Sequence, residues 1–252
     1  MIIGGVFLFG IFKMMLSRFL FFGLFLISSP LMLGQSLDDT ETVKDSVPLD
    51  EKYREDQFYF GVTYNLLTDT PPDVKIRGFT GGARFGFVRD MPVNASRTLS
   101  IGLGAGLGFN RYGNTLAISE DDNNQLQFQV LNEETNFESN RFSVYHVEVP
   151  LEFRWRSSSP KQFKFYRVHT GVIFSYAYWN RATFVQDGTR FKLNNVETFN
   201  PFQAEAFLLL GYNTINFYAA YNFTAFFDQE AKLEDNVLNF RPLKLGILFY
   251  FL

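Results

Sequence analysis

Cysteine is absent from the 252-residue chain, and histidine occurs only twice, as His146 and His169. The first absence excludes disulfides, a thiolate nucleophile and cysteine metal sites. The second leaves no histidine-rich metal centre, and no cofactor is expected. The net charge of −3 gives no basic footprint for nucleic acid. Beyond residue 34 every apolar run is shorter than the roughly 20 residues a spanning helix needs, and mean hydropathy is only −0.05. A helical membrane protein is therefore excluded from there on. What the chain has in excess is aromatic residues: 32 Phe and 12 Tyr against 2 Trp.

The first 34 residues read as a targeting segment. Lys13 and Arg18 form a basic start, Phe19–Ile27 an apolar centre, and a small residue, Gly34, precedes Gln35. That is the order of a secretory signal peptide, with cleavage near Gly34–Gln35. Met14 or Met15 is an alternative start. A retained anchor is disfavoured because Lys13 and Arg18 cut the apolar stretch into pieces too short to span. Residues 35–56 are acidic, polar and free of aromatics until Tyr53, which reads as a flexible periplasmic leader. A barrel domain is assigned to 57–252.

From Phe58 onward, segments alternate with period two and are separated by turn signals. In "LSIGLGAGLGF", Leu99, Ile101, Leu103, Ala105, Leu107 and Phe109 take one face and Ser100, Gly102, Gly104, Gly106 and Gly108 the other. A glycine row weakens an ordinary sheet, but it suits the crowded inner face of a small barrel. A phosphate loop is disfavoured because no helical pattern follows. Seven further segments behave alike: "FYFGVTYN", "FTGGARFGFV", "YHVEVPLEFRW", "RVHTGVIFSYAYW", "FQAEAFLLLGY", "INFYAAYNFTAFF" and "LKLGILFYFL". The segments run to about 8–14 residues each, around the roughly 9–11 that a tilted outer-membrane strand needs.

The gaps alternate in length. Residues 66–77, 110–141, 180–198 and 228–239 are long and polar, whereas 90–96, 156–162 and 212–214 are short. Short periplasmic turns and longer outer loops are the pattern of a bacterial transmembrane barrel. The expectation is an all-β, closed, antiparallel, eight-stranded up-and-down barrel in the outer membrane of a Gram-negative bacterium, with lipid against its apolar face. Within 110–141, "TLAIS" and "QLQFQV" form a hairpin that either rises above the membrane or adds two strands, making ten. The first is favoured, because the second arm alternates glutamines with few apolar partners.

The fourth and fifth segments carry the most charged inner face. A turn at 156–162 pairs them so that Glu148 lies close to His169, and Glu152 close to Arg167, directly or one pair off. Arg154 and Glu205 join from neighbours, and His146 shares the inward parity. One reading is a carboxylate–histidine acid/base pair. The favoured one is a structural network of paired charges filling the lumen, since buried charges need partners. Ser143 and His146 have opposite parity, which disfavours a serine hydrolase built on them. The acidic residues Glu120, Asp121, Asp122, Glu133, Glu134 and Glu138 read as a solvated loop, with binding of a cation or a basic partner as the alternative.

"VEVPLEFRWRSSS" (Val147–Ser159), "FYRVHTGVIFSYAY" and the closing "RPLKLGILFYFL" resemble the small outer-membrane "porin family" barrels of Bacteroidota, the PorT-like group. The resemblance covers about residues 57–252. Pro150-Leu151 and the basic turn Arg154–Ser159 match its pattern of a Pro-Leu pair ending a lipid-facing run. The last segment, with Leu243, Leu245, Ile247, Phe249 and Phe251 on one face, resembles the C-terminal signal read by the barrel-assembly machinery, although Phe251 is penultimate. The resemblance implies a non-enzymatic structural or accessory component of type IX secretion or gliding machinery. Such a component would meet secretion-complex subunits through its loops or periplasmic leader. The rival readings are a barrel that modifies a lipid or peptide at its rim, and one that binds a hydrophobic ligand.

Overall fold

The computed structural model describes residues 56–251, apart from 122, 124, 133–134, 158–165, 213–214 and 235. The expected signal peptide, nearly all of the leader and most of the 156–162 turn lie outside these residues. Among the described residues there are thirteen strands: β1 (Gln57–Thr68), β2 (Gly81–Pro92), β3 (Leu99–Gly113), β4 (Leu116–Glu120), β5 (Leu126–Val130), β6 (Ser139–Arg156), β7 (Tyr166–Gln186), β8 (Thr189–Asn194), β9 (Phe202–Tyr212), β10 (Ile215–Asn222), β11 (Lys232–Leu233), β12 (Asn236–Val237) and β13 (Arg241–Phe251).

Eight of them close a ring. The antiparallel order β6-β3-β2-β1-β13-β10-β9-β7 is completed by pairing of β6 with β7. The last strand zips onto the first from Phe58↔Phe251 to Thr68↔Arg241, so neither retains an open edge. The eight-stranded alternative holds over the ten-stranded one, because β4 and β5 pair only with each other.

The alternation in the sequence is realised as two faces. Over its 18 residues β6 alternates without a break, its even positions buried and its odd ones half-buried as far as Tyr145 and exposed from Val147 to Trp155. Phe60, Leu103, Leu151, Phe217 and Leu245 are all more than two-fifths exposed on the outer face. Apolar surface on that scale around a closed ring is stable only against lipid. No water is available there for backbone groups, and closure satisfies them within the ladder.

Several strand ends differ from expectation: β3 runs on to Gly113, β6 begins at Ser139 and β7 runs on to Gln186, all inside the expected loops 110–141 and 180–198. β2 runs to Pro92 and β6 to Arg156, which brings Asp90 and Arg156 out of their expected turns and into the ladder. β10 stops at Asn222 rather than continuing to Phe227. Two consecutive phenylalanines cannot both face lipid in a strand. The chain instead leaves the ladder and buries Phe226 and Phe227 together.

The long connections are accordingly less polar inside than their composition suggests. Val74, Leu116, Ile118, Val196, Phe199, Phe226, Phe227, Leu238 and Phe240 pack with Tyr112, Phe142 and Val144, which point inward from the loop ends of β3 and β6. This apolar cluster sits over the mouth of the ring.

Candidate functional site

The interior is built in layers from the inward positions of the strands. Uppermost is the aromatic mouth. Phe226 meets Tyr112, Phe142 and Phe199 edge-on, with centroids 5.0, 5.3 and 4.9 Å apart. Edge-to-face contacts of this kind favour fixed ring positions. Beneath it the Nδ2 of Asn65 donates to Asn110 Oδ1 at 3.0 Å, and Asn110 faces His146 Nδ1 at 3.4 Å.

The next layer holds two cations and two carboxylates. Arg84 Nη2 lies 2.6 Å from Glu148 Oε2 and 3.3 Å from Glu205 Oε1. Arg84 also donates to the Tyr218 hydroxyl, which donates to Glu205 Oε1 at 3.1 Å. The ammonium of Lys244 pairs with Glu205 Oε2. An apolar belt follows, with Tyr59, Ile173, Phe207, Leu209, Leu248 and Tyr250 all buried.

A second charged layer closes the short-turn end. Arg154 Nε donates to Glu152 Oε2 at 2.8 Å, and His169 Nδ1 is 3.7 Å from the same oxygen. Asp90 accepts from Arg156 Nη1 at 2.9 Å and from Ser100 Oγ at 2.5 Å, with Arg154 Nη1 at 3.4 Å. The guanidinium groups of Arg154 and Arg167 lie over the Tyr250 ring, 5.5 and 5.7 Å from its centroid.

The glycine row of β3 makes room for these groups. A Cβ at Gly102 would stand 2.9 Å from Val88 Cγ1 and 3.0 Å from Arg154 Nε. One at Gly106 would strike the Tyr59 hydroxyl, and one at Gly108 the Glu148 carboxylate. The crowding expected from the sequence is therefore present, contributed by Tyr59, Val88, Glu148, Pro150 and Arg154.

All seven sequence-selected interior residues, His146, Glu148, Glu152, Arg154, Arg167, His169 and Glu205, are buried. Their partners differ from expectation. Glu148 is opposite Ser175, not near His169, and Glu152 is opposite Gly171. His169 faces Arg154, and Arg167 faces Arg156. The connection between β6 and β7 spans 157–165, longer than the 156–162 turn, and hairpin register follows loop length. Glu148 and His169 thus form no acid/base pair, and each carboxylate of the set is held by a cation. Ser143 faces outward while His146 is buried, as parity required.

Sequence reasoning left Arg84, Asp90, Arg156, Tyr218 and Lys244 out of the set. Arg84 and Lys244 were legible, since both carry charge at inward parity. Asp90 and Arg156 were hidden by turn assignments. Two voids bounded by this network, one beside Tyr59, Glu152 and Tyr218 and one beside Asn110, Glu148 and Lys244, measure about 10 Å³ each, about the room of a single water.

The acidic hairpin tip is used locally. The Asp121 carboxylate accepts the backbone N–H groups of Gln125 and Asn123, each at 2.8 Å. These bonds hold its pKa below the ordinary aspartate value.

The sequence model of the family described as "Outer membrane protein beta-barrel domain" matches residues 35–229. Among solved structures, the attachment invasion locus protein Ail of Yersinia pestis is similar at 12% identity, over 78% of this chain and 97% of that one, with a TM-score of 0.32. No curated protein matches.

Proposed function

The chain belongs to the outer membrane protein β-barrel domain family and resides in the outer membrane, and from that premise we propose that it is a sealed, non-enzymatic barrel that acts through its outer surfaces. The observation that carries this reading is the filled interior. A charge network, an apolar belt and an aromatic mouth leave voids of about 10 Å³ in the network. Eight strands leave a lumen that side chains just fill, and the carboxylates a general acid/base would need are committed to Arg84, Lys244, Arg154 and Arg156.

The loop end faces outward and the short turns face the periplasm, as loop lengths favour in such barrels. The terminal strand, with Leu243, Leu245, Ile247, Phe249 and Phe251 outward, is the segment read by the assembly machinery. The partner class is that suggested by the PorT-like resemblance: subunits of a secretion or gliding complex, met through the loops or the leader. A hydrophobic ligand within the lumen is disfavoured, because the voids do not admit one.

Planar-bilayer recording of the refolded full chain tests the sealed barrel, with no steady conductance expected. A large stable conductance overturns it. A tag inserted in the leader tests the partner class by pull-down from native membranes. Recovery of secretion-complex subunits supports it, and recovery of assembly factors alone counts against it.

A further inference from the structure

On the outer face, the rings of Phe109, Tyr145 and Trp179 form one row across β3, β6 and β7, with centroids 4.9 and 4.8 Å apart. The rungs just beyond it, toward the loops, are cationic. Pairing aligns Arg111, Ser143, Arg181 and Asn194 in the first rung. Gly113, Arg141, Thr183 and Lys192 form the second, and Ser139, Val185 and Arg190 the third.

Five cations thus share one face, and no carboxylate stands in these rungs. Among the described residues none of the five makes an ion pair. Their partners are neutral: Arg141 donates to Ser139 Oγ at 3.0 Å and Arg181 to Asn194 Oδ1 at 2.6 Å. The charges that act on Arg141 are those of Arg111 and Arg190, both positive. The nearby Glu138 is turned to the β7–β8 hairpin, where it accepts the Gly188 N–H at 2.7 Å.

Like charges repel, and a cluster without carboxylates attracts an anion. Aromatic rows mark the membrane interface of such barrels, so these rungs lie at headgroup height. Below the row the same face continues as Leu107, Val147 and Tyr178, all exposed. A ligand that matches both parts carries phosphate above and acyl chains below. We propose that this face of β3, β6, β7 and β8 binds the phosphorylated headgroup of an outer-leaflet lipid. Guanidinium forks suit phosphate oxygens, and the row Phe109, Tyr145 and Trp179 lies against the upper acyl chains. This deepens the reading of a barrel that acts through its outer surfaces, and rests on the loop end facing outward.

Trp179 reports on the site, since the Arg181 guanidinium is 4.3 Å from its ring. In a Trp155→Phe background, the full chain in detergent is titrated with bis-phosphorylated lipid A, and a saturable change in fluorescence is expected. Arg190→Gln combined with Lys192→Gln alters only β8, outside the closed ring, and weakens binding at least fivefold. Adding Arg141→Gln weakens it further. Equal binding of dephosphorylated lipid A overturns the proposal, as does unchanged affinity in the β8 double variant. Inorganic pyrophosphate binding as tightly as the lipid also overturns it, by identifying a site for free anions. The orientation is tested separately by labelling Gly188→Cys in intact cells with a membrane-impermeant maleimide. Failure there removes the outer-leaflet assignment and leaves the detergent titration to decide the site.

Discussion

Arg84 of β2 and Glu148 of β6 pair at 2.6 Å over the strand that lies between them. They meet because β3 presents Gly108 opposite Arg84 and Gly106 opposite Glu148. Two side chains from non-adjacent strands join where the intervening strand has none.

Removing one partner should therefore be costly. Glu148→Ala leaves the Arg84 guanidinium buried with only Glu205 and Tyr218, and a loss of about 3–5 kcal/mol is expected for breaking a buried pair. Urea unfolding from lipid vesicles, followed by the heat-dependent gel shift of folded barrels, measures it. A loss below about 1 kcal/mol would show the pair to be dispensable.

The glycine row makes a second prediction. Gly108→Val brings a branched side chain against the Glu148 carboxylate, and overpacking of this kind costs roughly 1–3 kcal/mol. The same unfolding assay should show the Gly108→Val/Glu148→Ala double variant losing less than the sum of the two single losses, because Glu148→Ala clears the space. Additive losses in the double variant would argue against a shared steric cause.

The aromatic mouth depends on Phe226, which touches Tyr112, Phe142, Phe199 and Phe227. Phe226→Ala should destabilise by about 3–5 kcal/mol, as for large-to-small changes elsewhere. It should also raise hydrogen exchange in the loops before it does so in the ladder. Faster exchange confined to β1 and β13 would place the effect elsewhere.

Asp121 supplies a pH test outside the membrane. Its pKa is lowered by bonds from Gln125 and Asn123, so its contribution to the hairpin tip is complete above the unfolded value, about 3.9. The contribution is lost as pH falls through the lowered folded value. The amide resonances of Gln125 and Asn123 should hold steady from neutral pH to about 5 and move only in stronger acid. A midpoint at or above the ordinary carboxylate range would contradict the capping role.

Register and bulges explain why the site was only partly legible. The inward set was readable because parity is local: His146, Glu148, Glu152 and Arg154 follow from alternation in one strand. Their partners were not, because pairing depends on the whole length of the β6–β7 connection. The bulge that pairs Tyr145 with Trp179 but His146 with Ala177 adds to this. That extra residue reverses the facing of β7 beyond Tyr178. Strict alternation would have turned Arg181 into the lumen, whereas the bulge sets it outside beside Arg111 and Ser143.

The sequence by itself determined that eight ribbons have one oily and one polar side, and that long and short connections alternate. Both are properties of neighbouring residues, read by counting in twos. The tertiary structure alone decided which charges meet in the lumen, that Phe226 and Phe227 leave the wall to cap it, and that five cations gather above one aromatic row. Those outcomes are sums over distant strands, in which a slip of one rung changes every partner and no local pattern records the total.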